Sequence, residues 1–156
     1  MADSKITALA DLTSKKSGVF ATLDAEEDTT ITTADTWYPI QGTFTNSPME
    51  DFIFDTDHIT YTGTLTQHFK IDWHASITGD NNNITASVTI KKNSTVMTAC
   101  KMCTYLKTSG ERFQNSGTCV VELATNDEIQ LVTTADSNGD VISFCNFVTC
   151  INEFFD

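Results

Sequence analysis

The run His68-Phe69-Lys70-Ile71-Asp72-Trp73-His74-Ala75-Ser76-Ile77 alternates polar and apolar residues without a break, and it constrains the fold more than any other part of the chain. Period two puts Phe69, Ile71, Trp73, Ala75 and Ile77 on one face of a strand. His68, Lys70, Asp72, His74 and Ser76 fall on the other. Gly79-Asp80-Asn81-Asn82-Asn83 then supplies residues that tolerate positive φ, after which Ile84, Ala86, Val88 and Ile90 alternate with Thr85, Ser87, Thr89 and Lys91. The two runs predict an antiparallel hairpin with one dry face. Further strand signals at residues 43–45, 52–54, 59–65, 96–103, 119–123, 129–133 and 141–155 bring the expectation to about eight strands, with an Asn138-Gly139 hairpin signal before the last. No helical period separates them, which disfavours a doubly wound fold. The expected class is all-β, an antiparallel jelly-roll sandwich.

At 156 residues the chain has room for one core. Residues 1–30 lack a sustained core period and are expected to form an N-terminal arm, with residues 31–156 as the sandwich. Within the arm Ile6, Leu9 and Leu12 line one side of a short turn, Lys5, Lys15 and Lys16 carry its positive charge, and Val19, Ala21 and Leu23 have the spacing of a short strand. The net charge of -12 opposes binding to phosphate backbones or anionic lipid, so neither nucleic acid nor membrane is an expected partner. No apolar stretch approaches the ~20 residues of a membrane span. Asp3 and Asp11 stand where a secretory leader would be basic and then apolar, so the expectation is a non-secreted product folded in a reducing cytoplasm.

The chemistry-bearing residues do not assemble into a site. Cys100, Cys103, Cys119, Cys145 and Cys150 are odd in number, so at least one is not paired within the chain. Cys100 and Cys103 form a C-x-x-C on a predicted strand, where side chains at i and i+3 diverge, so the thiols are expected to be free, buried and small-hydrophobe-like instead of redox-active or zinc-binding. His68 and His74 share a face about 20 Å apart, too far for one metal or one triad, and His58 stands alone. There is no nucleophile elbow and no Gly-rich phosphate loop. Asp136-Ser-Asn138-Gly-Asp140 opens like a calcium loop but lacks the later Gly and Glu, and reads as a solvated turn. The expectation is therefore no enzyme, no cofactor and no metal.

The last strand is apolar on both parities: Val141, Cys145, Phe147 and Ile151 on one side, Ile142, Phe144, Val148 and Phe154 on the other. A strand buried on both faces in a one-domain sandwich implies that its second face meets another chain.

The runs Ile90-Lys-Lys-Asn93, Ser116-Gly117-Thr118-Cys119-Val120-Val121-Glu122-Leu123 and Asn126-Asp127-Glu128-Ile129-Gln130-Leu131, following the strands 69–90, resemble the jelly roll of the tumour-necrosis-factor and complement globular-head superfamily. That pattern has a Lys-Asn-Gly-like turn and a Gly-Asp step; here Ser94 and Asn126 stand in the two Gly places. The resemblance covers about residues 38–155. It implies a homotrimer with aromatic-rich strands around the three-fold axis, and assigns Phe144, Phe147, Val148, Phe154 and Phe155 to the interface between copies.

The opening Met1-Ala-Asp-Ser-Lys-Ile-Thr-Ala-Leu-Ala-Asp-Leu-Thr is similar to the start of many tailed-bacteriophage virion proteins, and Ile151-Asn-Glu-Phe-Phe155 to the end of phage jelly-roll proteins. This likeness implies a structural virion component assembled in the host bacterial cytoplasm. The expected function is a trimeric capsid decoration or head-fibre protein on the capsid surface. Its arm residues Lys5, Ile6, Leu9, Leu12, Lys15 and Lys16 would dock on the major capsid protein. The alternative is the receptor-binding tip of a tail fibre, whose Thr/Asn-rich loops at residues 80–83 and 107–115 would meet cell-surface saccharide.

Overall fold

In a computed structural model, residues 18–47 and 50–154 are described. Their strands are β1 (Gly18–Leu23), β2 (Glu27–Ile31), β3 (Tyr38–Pro39), β4 (Phe44–Asn46), β5 (Phe52–Asp55), β6 (His58–Tyr61), β7 (Gln67–Gly79), β8 (Ile84–Lys92), β9 (Thr95–Val96), β10 (Met102–Leu106), β11 (Phe113–Leu123), β12 (Glu128–Ala135) and β13 (Asp140–Glu153). They build two antiparallel sheets. One has the order β11-β7-β13-β1-β4 with β2 added on β13; the other has β10-β8-β12-β6-β5, with β3 on β12 and β9 on β8. This is an antiparallel jelly-roll sandwich.

The alternation of residues 68–77 and 84–90 is realised strand by strand, but the two strands are not a hairpin. β7 pairs with β11 and β13, whereas β8 pairs with β10 and β12 in the opposite sheet. The turn at residues 80–83, with Asn83 at φ 62°, carries the chain across the sandwich. The Asn138-Gly139 turn does the same between β12 and β13, with Gly139 at φ 81°. A local turn signal fixes where the chain reverses but not which neighbour it finds. Crossing between sheets turns two dry faces toward one another and buries both.

The core between the sheets is aromatic at one end. Phe52, Tyr61 and Phe69 lie with ring centroids 5.0 to 5.2 Å apart, and Phe44 bridges Phe54 at 5.4 Å to Phe147 at 6.2 Å. Trp73 fills the middle. Its indole N–H donates to Asn115 Oδ1 at 3.3 Å, and Asn115 in turn donates to Thr104 Oγ1 at 2.9 Å and to the Met102 carbonyl at 3.3 Å on β10. Asn115 thus belongs to the buried core of β11, not to the loop in which the sequence placed it. Gly117 lies over the same ring; a Cβ there would stand 2.2 Å from Trp73 Cζ2. Gly117→Ala is expected to cost about 1–3 kcal/mol by overpacking, measured as a lower urea midpoint.

Residues assigned to the arm are divided by the structure. β1 and β2 are integral to the six-stranded sheet, with Val19, Ala21, Leu23 and Ile31 buried. The sandwich therefore takes in strands from residues 18–30, which the sequence assigned to the arm. The expected docking residues Lys5, Ile6, Leu9, Leu12, Lys15 and Lys16 lie outside the described residues.

Two of the five cysteines are joined. Cys100, in a single 3-10 turn (Thr98–Cys100), forms a disulfide with Cys119 of β11, Cα–Cα 5.4 Å. The expectation of five free thiols is corrected here. The strand-parity argument separates Cys100 from Cys103 correctly, but it says nothing about the strand that faces Cys100 across the sandwich. Cys103 is exposed, and Cys145 and Cys150 are half-buried.

At the turn before β12, Asp127 accepts from the Ala124 N–H at 2.8 Å, from Asn93 Nδ2 at 2.8 Å and from Lys92 Nζ at 2.9 Å. Burial pushes its carboxyl up. These three donors outweigh that and hold it down at about 2. A folded-state pKa below the unfolded one gives stability that is present above pH ~4 and lost as pH falls toward 2. Asp127→Asn should remove about 2 kcal/mol at neutral pH, and flatten the urea-midpoint profile across that acid window.

Candidate functional site

The outer face of the six-stranded sheet carries three of the seven large hydrophobic side chains that are exposed among the described residues. Strand register sets its side chains in rows: Thr45, Thr22, Val148, His74 and Ser116; then Phe20, Cys150, Asp72 and Thr118; then Asn152, Lys70 and Val120. Phe154, whose N–H donates to the His68 carbonyl, extends the face beyond β13. Phe20, Val120 and Phe154 are 44%, 43% and 41% exposed, which leaves three large apolar groups on one surface. Among them, Lys70 Nζ pairs with Asp72 Oδ2 at 2.9 Å, and the Thr118 hydroxyl donates to Asp72. Burial raises the Asp72 carboxyl, but Thr118 and Lys70 more than offset this and leave it below its ordinary value.

This face adjoins an open edge. β11 pairs with β7 over all of Phe113–Leu123 with no register shift, contains no proline, and ends the sheet. Lys92 Nζ caps one edge carbonyl, that of Glu122, at 2.7 Å. Long flat edges of this kind are ordinarily covered or blunted.

The interface residues expected from the sequence are relocated. Phe144 and Phe147 are both 0% exposed, with ring centroids 5.8 Å apart inside the sandwich. They pack the protein's own core and cannot meet another copy. The cause is a register shift between Phe144 and Asn146 opposite β7: one extra residue changes the inward parity from even to odd, so Ile142, Phe144, Phe147, Thr149 and Ile151 all point inward. The two apolar parities of β13 are one dry face, cut by a bulge. Val148 does face outward and Phe154 is exposed. Phe155 lies outside the described residues. Phe20 and Val120 were missed, although their outward parity was legible from Val19-Ala21-Leu23 and Cys119-Val121-Leu123.

The loops named for saccharide contact converge at one end of the sandwich. Ser109 N–H donates to Asn82 Oδ1 at 2.7 Å, Ser109 Oγ to the Asp80 carbonyl at 2.8 Å, and the Gly110 N–H to the Gly79 carbonyl at 2.9 Å. Tyr105 OH meets Asn83 Oδ1 at 2.7 Å.

The histidines remain dispersed. His68 and His74 are exposed on the outer face, while His58 Nδ1 lies 2.9 Å from Asp57 Oδ1 at the mouth of a crevice lined by Ile40, Phe44, Phe54, Ile59, Ile129 and Leu131. The hydrogen bond to Asp57 raises the His58 pKa; burial opposes it, and Glu128, Asp57 and Asp55 add to the rise. Among the described residues, no group of three or more His, Cys, Asp or Glu could hold a metal ion, and no helix is long and apolar enough to cross a membrane.

No known family profile matches the sequence, and no curated protein matches it. Solved structures do match. Murine APRIL at pH 5.0 superposes with a TM-score of 0.62 at 9% identity, over 88% of this chain and 99% of that one. The globular domain of zebrafish complement 1qA protein gives 0.58 at 13% identity, over 91% and 98%. Eiger TNF from S. frugiperda gives 0.58 at 11%, over 90% and 94%. At these identities the likeness is one of fold, and the chain has the jelly-roll sandwich of the tumour-necrosis-factor and complement globular heads.

Proposed function

We propose that the protein is a non-enzymatic structural module that works as a homotrimer on a virion surface, attached through residues 1–17 to the major capsid protein of a bacteriophage head. The observation that carries self-association is the pairing of two different unpartnered patches, the outer face with Phe20, Val120 and Phe154 and the open edge of β11. A face on one copy that meets an edge on the next is a heterologous contact, which closes into a ring when the rotation between copies allows it. The resemblance to trimeric globular heads supports three copies. Residues 1–17 carry Lys5, Lys15 and Lys16 against Asp3 and Asp11, a net of +1, which leaves -13 for the rest of the -12 chain. Such an arm suits an acidic partner surface, while the acidic body keeps crowded copies apart.

Light scattering should return a trimer, and Val120→Glu with Phe20→Glu should give a monomer whose urea midpoint is nearly unchanged. A wild-type monomer at micromolar concentration would refute self-association. Deleting residues 1–17 should abolish capsid binding and leave the trimer intact; capsid binding that survives the deletion would reject the docking role.

The second reading, a saccharide-binding tail-fibre tip, is favoured by the mutual hydrogen bonding of the loops at residues 80–83 and 107–110. Copies per purified virion separate the two readings: a number that matches the capsid lattice means head, and a few per particle mean tail.

A further inference from the structure

β5 ends the seven-stranded sheet, and among the described residues the edge it turns away from β6 has no strand on it. Which backbone groups face that edge follows from β6. Tyr61 N–H donates to the Asp127 carbonyl at 2.9 Å and its carbonyl accepts from the Asn126 N–H at 2.8 Å, so Tyr61 and Ile59 face β12 while His58 and Thr60 face β5. Ile53 and Asp55, opposite Thr60 and His58, therefore face β6, as does Asp51, whose carbonyl accepts from the Thr62 N–H at 2.7 Å. The N–H and C=O of Phe52 and Phe54 point to the bare edge.

Gly18, where β1 starts, stands at the head of this edge. Its N–H donates to the Glu50 carbonyl at 3.3 Å in an isolated antiparallel bridge, two residues before β5. Even-numbered residues of β1 face this side, since the Phe20 carbonyl accepts from the Ser47 N–H at 2.9 Å. Asp51, at φ 62°, turns the chain from Glu50 into β5, and strands change sheets at such bends.

We propose that residues 12–17 continue β1 antiparallel along β5 and close the seam between the two sheets, with Lys16 opposite Phe52 and Ser14 opposite Phe54. This register meets the facing of both chains, because Lys16 and Ser14 share the even parity of Gly18. At ~3.3 Å per residue the segment spans about 20 Å, more than β5 needs. Charge and polarity agree with it. Lys15 falls opposite Ile53, which is 57% exposed, so its stem covers that side chain while its ammonium lies diagonal to Asp51 and Asp55. Leu12, one step beyond on the inward parity, reaches the crevice lined by Phe44, Phe54 and Ile59. Residues 1–11, with Lys5, Ile6 and Leu9, are left for the partner proposed above. The pairing rests neither on that partner nor on three copies.

Amide hydrogen exchange of the full chain, read residue by residue by NMR, tests this. Lys16→Pro removes an N–H that bonds to Phe52, whereas Lys15→Pro removes one that faces away from β5. The Phe52 and Phe54 amides should exchange at least ~10-fold faster in Lys16→Pro than in wild type, and within ~3-fold of wild type in Lys15→Pro. Ile53 and Asp55, bonded to β6, should change by less than ~3-fold in both, which also reports that the sandwich is folded. Leu12→Glu should speed exchange at Phe54 without a backbone change, and it decides the matter if a proline variant fails to fold. Unprotected Phe52 and Phe54 amides in wild type overturn the proposal. So does protection that survives both Lys16→Pro and Leu12→Glu, which would mean that a second copy or another segment covers the edge. Equal loss in Lys15→Pro would overturn the register. These readouts hold for a monomer, so a failed trimer and a failed pairing are told apart.

Discussion

Phe147→Ala is expected to lower the free energy of unfolding by about 3–5 kcal/mol, the range for truncating a fully buried ring whose neighbours cannot close the gap. Phe147 is in ring contact with Phe44 and Phe144, and it joins β13 to the edge strand β4, so little nearby can collapse inward. A urea titration of the variant supplies the number. The informative control is Val148→Ala, one residue along and on the outer face, whose cost should stay below about 1 kcal/mol. If Phe147→Ala left stability intact and only dissociated copies, the ring would belong to an interface and the inward assignment would fail.

That residue also marks where the sequence stopped being readable. Alternation alone located the core face of β7 and β8, because an unbroken period of two has one solution once one side is buried. It could not locate the inward face of β13, because a single inserted residue near Cys145 makes one dry face look like two. The same limit explains the hairpins that are not there. Residues 80–83 and 138–139 are turns, as their composition dictates, but pairing depends on which sheet has a vacant edge, and that is decided by the whole chain. Asn126, in one of the two family Gly places, is accommodated at φ 70°, a region Asn enters more readily than other non-Gly residues; in the other turn it is Asn93, beside Ser94, that takes the positive φ, at 52°. Of the candidate surface, the polar half was legible from His68, Lys70, Asp72 and His74. Its apolar half, Phe20 and Val120, sits on strands whose outward positions drew no notice while β13 explained the association.

Reducing the Cys100–Cys119 bond should cost about 3 kcal/mol, the loop-closure value for a cross-link with a sequence separation of 19. Urea midpoints with and without reductant measure it, and Cys119→Ala should reproduce the reduced value, less the small effect of the lost side chain. Alkylation of denatured, unreduced protein should modify three thiols, Cys103, Cys145 and Cys150. Five modified thiols would sink the assignment. The bond also bears on where the protein works: cytosolic reductants keep such pairs open, whereas virion surfaces are among the places where they persist. Under the virion role proposed above, this predicts a protein that is less stable inside the host and gains stability after release.

The position of β13 has a consequence for how the molecule is made. The strand lies between β7 and β1, and β2 pairs with it as well, so the six-stranded sheet lacks its middle until Glu153 has been synthesised. No partial chain on the ribosome can close that sheet. The emerging strands must wait with their edges bare until β13 pairs with β1, β2 and β7, contacts of long sequence separation that form slowly. Crowded synthesis then becomes a race between closing the sheet within one chain and borrowing the missing strand from a neighbour.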